Sequence, residues 1–281
     1  MKRILLIAAL LLAPAMAAKP LAVTTIEPYA MLARAVLGDG WRVVSLVPPG
    51  ANPHVFSPSP QDVKKISGAR LVVMNGLGLD EWLVDKLVKP NNLSCKVYRA
   101  ADSLKDFVQK LPSGAPDPHV WTDPLAMGEV VLAIARNAAE LDPQNAAAYQ
   151  KRARAYRKKL AELVNETSKE IAAAPSRKFV AYKNPFSYLA ARYRLERVYL
   201  ITPNPAAEPS PQELAKAAAL LRREGLKTIV APLQLKREAE RVAAAISARV
   251  ELIDLLGESG GDYLQVWRRN SAALARALGA R

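Results

Sequence analysis

The sequence predicts an α/β protein of two lobes, each a mainly parallel sheet flanked by helices. One long connecting helix joins the lobes, with an interlobe cleft between them. Three observations predict this. Short apolar runs alternate with helical stretches along most of the chain, the βαβα order of parallel sheets. An unbroken, highly charged helical stretch, Asp142 to Pro175, divides the alternation into halves. The phrase "PSPQDV" at Pro58–Val63 returns as "PSPQEL" at Pro209–Leu214. Each places a serine N-cap, a proline at N1 and an acid at N3, and this suits two lobes built alike.

The chain opens with "MKRILLIAALLLAPAMAAKP". Lys2 and Arg3 precede an apolar run, and small residues at Ala15–Ala17 offer a cleavage site. Residues 1–18 therefore read as a secretory signal peptide, cleaved near Ala17 or Ala18. The first lobe is expected over 19–141. "LAVTTIEP" reads as a strand, followed by a helix that ends near "GDG". "WRVVSLVPPG" is a strand stopped by proline and glycine. The loop "ANPHVFSPSP" follows, and Ser59 then caps a helix. "RLVVMNG" is a strand, "LDEWLVDKLV" a helix and "CKVYRA" a short strand. After "PDPHVWTDP" comes the helix "PLAMGEVVLAIARNAAEL".

The stretch 142–175 has Asp142 as its cap, Pro143 as its first residue and Pro175 as its stop. A continuous helix there spans about 48 Å at 1.5 Å per residue, and its charge marks it as a stiff connector. The second lobe, 176–281, repeats the alternation. Its strands are "RKFVAY", "ERVYLI", "KTIVAP" and "RVELIDLL", and it closes on the helix "DYLQVWRRNSAALARALG".

Composition narrows the function. The 281 residues include one cysteine, Cys95, so no internal disulfide can form, and no cysteine stands at the leader's cleavage site to take a lipid. A soluble periplasmic or secreted protein is expected. The formal charge of +14 suits a solvated basic surface. The chain has no nucleic-acid motif, basic tail or interleaved aromatic and basic residues.

There are only two histidines, His54 and His119, and both stand in proline-rich loops as "PHV". Imidazole is a ready ligand for divalent metal, and a neighbouring proline stiffens the loop that presents it. Ligands of open parallel sheets bind beyond the carboxyl ends of the strands. His54, His119, Lys183 after "KFVAY" and Asp254 at the end of "VELID" all fall there, two from each lobe. Two histidines and a carboxylate make a three-ligand set for zinc, with room for water. Asp117 and Asp123, on either side of His119, are candidates to orient its ring, or to cap turns beside Pro118 and Pro124. Glu208 approaches the cleft or serves the helix entry.

The motifs "GANPHVFSPSPQDVKKISGARLVVMNGLGLDEWL", "DPHVWTDP", "FVAYKNPFSYLAARYRL", "EPSPQEL" and "ELIDLLGE" resemble, in order, the zinc/manganese solute-binding proteins of bacterial ABC transporters (cluster A-I, or cluster 9). The resemblance covers nearly the whole mature chain. It implies two lobes on one long helix and a Zn²⁺ or Mn²⁺ ion held between them as cargo rather than as a catalytic cofactor. It implies a monomer, a membrane permease as partner and no enzymatic activity. It also implies metal ligands at His54, His119 and Asp254. The family's third ligand, a histidine or glutamate, falls on Lys183, whose ammonium cannot coordinate a cation. Three outcomes stay open. Lys183 swings away and water joins the other ligands; or Lys183 pairs with Asp254 in a metal-free or adhesin-like relative; or the protein has moved to another ligand. A zinc-dependent hydrolase is a further alternative, although no motif places a nucleophile or general base beside the set.

Overall fold

The structure, a computed structural model, describes residues 18–91, 94–203 and 207–280. The leader-like segment lies outside these residues except for its last position. Two four-stranded sheets form, and every pairing is parallel. The first contains β1 (Leu21–Thr24), β2 (Arg42–Ser45), β3 (Ala69–Met74) and β4 (Lys96–Arg99), in the order β2-β1-β3-β4. The second contains β5 (Lys178–Ala181), β6 (Glu196–Leu200), β7 (Thr228–Pro232) and β8 (Arg249–Ile253), in the order β6-β5-β7-β8. The two lobes thus share one topology. The central strands are nearly all buried, as expected when helices cover both faces, while β2 and β6 are part-exposed at the edges.

Helices α1 (Glu27–Leu37), α2 (Pro60–Ser67), α3 (Lys89–Asn91) and α4 (Pro124–Leu141) belong to the first lobe. Helices α6 (Ser187–Tyr193), α7 (Pro211–Arg223), α8 (Lys236–Ala245) and α9 (Tyr263–Ala277) belong to the second. Both repeated phrases form capping boxes. Asp62 Oδ2 accepts from Ser59 N at 2.9 Å, and Glu213 Oε2 accepts from Ser210 N at 2.7 Å. The capped helices α2 and α7 occupy equivalent places, each following an edge strand. The stretch expected as one helix at "LDEWLVDKLV" is instead a π-helical segment, Leu83–Val88, that runs into α3.

The connecting helix α5 spans Ala146–Ala173, about 42 Å at 1.5 Å per residue. It is shorter than expected because Pro143–Asn145 forms a 3₁₀ turn. Asp142 does not cap it; that carboxylate accepts from the Tyr149 hydroxyl at 2.5 Å and the Asn145 amide at 2.8 Å. Nor is α5 a free connector. Tyr149, Ala153, Tyr156, Leu160, Leu163, Val164, Thr167 and Ile171 are buried along it, an apolar stripe at helical spacing. Its first half is tied to lobe one, where the Trp41 indole donates to Tyr149 Oη at 2.8 Å and Arg152 donates to the carbonyls of Val36 and Leu37. Its second half meets α9, where Thr167 Oγ1 and Ser271 Oγ stand 2.6 Å apart. One apolar core runs continuously from Ala22 in lobe one to Leu278 in lobe two. The lobes are therefore wedged together on the helix side.

Candidate metal centre

The histidine loops occupy the carboxyl ends of lobe one's sheet. Pro53–Val55 and His119–Thr122 are single 3₁₀ turns. Asn52 Oδ1 accepts from His54 N at 3.0 Å and closes the first turn. In the second, Asp117 Oδ1 accepts from both His119 N at 3.0 Å and His119 Nδ1 at 2.7 Å. That bond assigns a proton to Nδ1 and leaves the Nε2 lone pair of His119 outward, as metal ligation requires. The two Nε2 atoms stand 3.3 Å apart. Two nitrogens bound at about 2.0–2.1 Å to one tetrahedral zinc stand ~3.3 Å apart, so the pair already has the bite of a two-histidine site.

Burial lowers the His54 pKa and the facing His119 lowers it further, while Asp117 opposes both. Burial alone would raise Asp117. The hydrogen bond and charge of His119, with the Ser187 hydroxyl, outweigh burial and hold its carboxyl below the usual range.

The other expected residues are placed differently. Asp254 ends β8 beside the cleft, but its carboxylate is engaged in its own turn. It accepts from the backbone N–H groups of Leu256, Glu258 and Ser259, and from Ser259 Oγ at 2.5 Å. Asn270 clamps its backbone on both sides. The Gly257 backbone in this turn has φ +72°, and a Cβ there would meet Met31 Cε of lobe one at 2.3 Å, so this turn needs glycine for both reasons. Lys183 points its ammonium at the Ala207 carbonyl, 2.9 Å away, and 5.3 Å from the Tyr182 ring centroid. Burial lowers its pKa, and Glu208 and Glu238 oppose that. The expected alternative of a Lys183–Asp254 pair is not formed: Asp254 is bonded within its own turn, and the Lys183 ammonium meets the Ala207 carbonyl beyond β6. Among the described residues, no group of three or more His, Cys, Asp or Glu side chains stands ready to hold a metal. The structure brings the two histidines together and leaves Asp254 apart from them.

Asp123 caps α4 through Leu125 N and takes a two-pronged ion pair from Arg192 at 2.9 and 2.6 Å. It grips the second lobe rather than the His119 ring. Glu208 is exposed and pairs with Arg241 at 3.6 Å. Several residues that matter here carried no sequence signal. Ser187 Oγ donates to Asp117 Oδ2, and Tyr188 Oη donates to the Asp117 carbonyl at 2.6 Å. The Trp121 indole donates to the Leu255 carbonyl at 2.9 Å, and Tyr263 Oη donates to the Trp121 carbonyl at 2.8 Å. The stretch 117–123 is thus a clasp from lobe one onto lobe two, with His119 in its middle. In sequence, "PFSYLAARY" shows only helix periodicity, so the polar partners inside it could be recognised only through contacts distant in the chain.

Two like-built α/β lobes on a spanning helix, with paired imidazoles at the cleft edge, define the class of two-lobed solute-binding proteins. Likeness to known proteins narrows the class. Residues 22–277 match the family described as "ZnuA: Zinc-uptake complex component A periplasmic", and the chain belongs to that family. It is 26% identical over 277 residues to the high-affinity zinc uptake system protein ZnuA of Bacillus subtilis, covering 91% of this chain and 86% of the relative. It is 26% identical over 273 residues to the manganese ABC transporter substrate-binding lipoprotein PsaA of Streptococcus pneumoniae, covering 91% and 88%. A crystal structure of ZnuA superposes with a TM-score of 0.84 at 27% identity, covering 93% of this chain and all of that one. These relatives are named as metal uptake and transport proteins rather than enzymes. No helix among the described residues is long and apolar enough to cross a membrane.

Proposed function

We propose that this protein is the extracytoplasmic binding component of a metal ABC transporter. It captures Zn²⁺ or Mn²⁺ at the mouth of the interlobe cleft and delivers it to a membrane permease. The observation that carries this reading is the 3.3 Å Nε2–Nε2 separation, with His119 oriented by Asp117. His54 and His119 are the first two ligands. Asp254 is the third, released from its turn when the metal arrives, and water completes the set. Lys183 stands where the family places another ligand and contributes none. The mature chain begins after residue 18, with lobes at 19–141 and 176–281 and the connector at 142–175. It works as a monomer and performs no chemistry on its cargo.

Titration calorimetry of the metal-free protein with Zn²⁺ and Mn²⁺ tests the reading. His54→Ala and His119→Ala should each lose at least tenfold in zinc affinity, about 1.4 kcal/mol, while circular dichroism stays unchanged. Wild-type affinity in both variants would refute the site.

A further inference from the structure

The outer face of α5 carries charge that the metal site does not use. Six of the nine residues from Lys151 to Lys159 are lysine or arginine, and no acid stands between Pro143 and Ala161. Lys151, Arg154, Arg157, Lys158 and Lys159 are exposed, while Tyr149, Ala153, Tyr156 and Leu160 are buried. The first half of α5 is therefore an amphipathic helix with a cationic outer face. Arg152 is committed to the carbonyls of Val36 and Leu37. Arg157 pairs with Glu129, and Lys158 approaches Glu162. Among the described residues, Lys151, Arg154 and Lys159 have no ion pair.

A groove of about 440 Å³ lies beside these cations, between α4 and α5. Phe107, Leu125, Leu160 and Ala161 give it an apolar lining, and the exposed Arg154, Arg157 and Lys158 edge it. Arg154, Lys158 and Ala161 follow at spacings of four and three and so share one face of α5. A Cβ at Gly128 would stand 3.1 Å from Arg157 Cγ, so this glycine lets the arginine stem lie close against α4. Arg157 Nη2 then donates to Glu129 Oε1 at 2.8 Å, and one side of the groove is closed by a neutralised pair. The Lys158–Glu162 pair, at 3.7 Å, is exposed at both ends and holds Lys158 weakly. Arg154 and Lys158 thus offer charge next to an apolar slot.

We propose that this face of lobe one docks on an anionic phospholipid surface. Lipid phosphates meet Arg154 and Lys158, and the groove receives the upper part of one acyl chain. A cluster of about four to eight cations on an amphipathic helix suits anionic headgroups. The apolar slot beside the cations fits a partner that joins phosphate to hydrocarbon, which a soluble polyanion does not. No residue of this face is a proposed metal ligand, so the inference stands or falls apart from metal binding.

Vesicle flotation of the metal-free protein tests it, with phosphatidylcholine vesicles and with mixed phosphatidylcholine–phosphatidylglycerol vesicles. The mixed vesicles should bind at least tenfold more tightly, and raised salt should weaken that binding. Arg154→Gln with Lys158→Gln should lose on the order of tenfold in affinity for the mixed vesicles. Arg222→Gln with Lys227→Gln removes the same charge from exposed positions on lobe two and should stay within twofold of wild type. Ala161→Gln keeps the charge but puts a polar side chain in the groove, and should weaken vesicle binding at least threefold. Circular dichroism and urea unfolding confirm that each variant is folded. Equal binding to both kinds of vesicle would overturn the inference. So would equal losses in the two charge variants, since net charge alone would then drive binding, or wild-type vesicle affinity in Ala161→Gln. Capture by soluble dextran sulfate without vesicle binding would make a polyanionic chain the partner and overturn it equally.

Discussion

Asp117 gives the sharpest test of the proposed role of His119 as a metal ligand. Its carboxylate is fully buried and accepts three donors: His119 N, His119 Nδ1 and Ser187 Oγ. Asp117→Ala would orphan those donors and mix a folding cost of about 1–3 kcal/mol into the result. Asp117→Asn is the cleaner change. It keeps the shape and removes the charge, so the bond to Nδ1 becomes neutral and roughly half as strong. In the opposite amide orientation, the NH₂ group faces Nδ1 and drives the ring proton to Nε2, where it blocks the metal. Both outcomes weaken binding. Loss of such a partner costs about 10–100-fold in metal affinity, or about 1.4–2.7 kcal/mol. Competition with a chromophoric zinc chelator near neutral pH measures it, with urea unfolding of the metal-free protein as a control. A folded Asp117→Asn variant within twofold of wild-type zinc affinity would show that the Asp117–His119 bond has no part in binding.

Two further predictions concern charge. Lys183→His replaces a cation with a neutral donor at the third-ligand position, and zinc affinity should rise tenfold or more, about 1.4 kcal/mol; unchanged affinity in direct titration would mean that this side chain does not reach the metal. Asp80 is 1% exposed and accepts the N–H groups of Asn75 and Gly76 at 2.7 Å each, yet burial raises its pKa to about 6. Its folded pKa lies above the unfolded value of about 3.9, so its contribution to stability is fully present below pH ~4 and is lost as pH rises through ~6. The stability of wild type minus that of Asp80→Asn should therefore fall by up to about 3 kcal/mol between pH ~4 and ~7 in urea titrations. A flat difference across that range would contradict the burial argument.

Much of the fold is visible in the sequence because it rests on local chemistry. The apolar runs "LAVT" and "RLVVM" become central strands, and both PSPQ phrases become capping boxes. The strand order is not visible, since β2 and β6 cross to outer positions through contacts that no periodicity encodes. The charge of α5 suggests an exposed connector, while the stripe from Tyr149 to Ile171 that buries it is thinner than that charge and easily overlooked. The histidine pair is legible because only two histidines exist and their settings match. The clasp is not. Ser187, Tyr188 and Arg192 read as an ordinary short helix until tertiary packing sets them against Asp117 and Asp123.

The shared topology also bears on how far the two lobes can move against each other. The loop from β4 to α4 carries His119, and its counterpart from β8 to α9 carries Asp254. The two loops already meet, through the Trp121 indole on the Leu255 carbonyl and the Tyr263 hydroxyl on the Trp121 carbonyl. Arg192 locks Asp123 at the far end of the same clasp. Behind them the apolar core is continuous across both lobes and α5. A wide hinge opening would have to break all of these contacts and expose that core. Loops can move at far lower cost. The exposed turn that carries His54 is therefore the part of this edge that the surrounding packing leaves freest to move, whereas the turn after Asp254 is held on several sides.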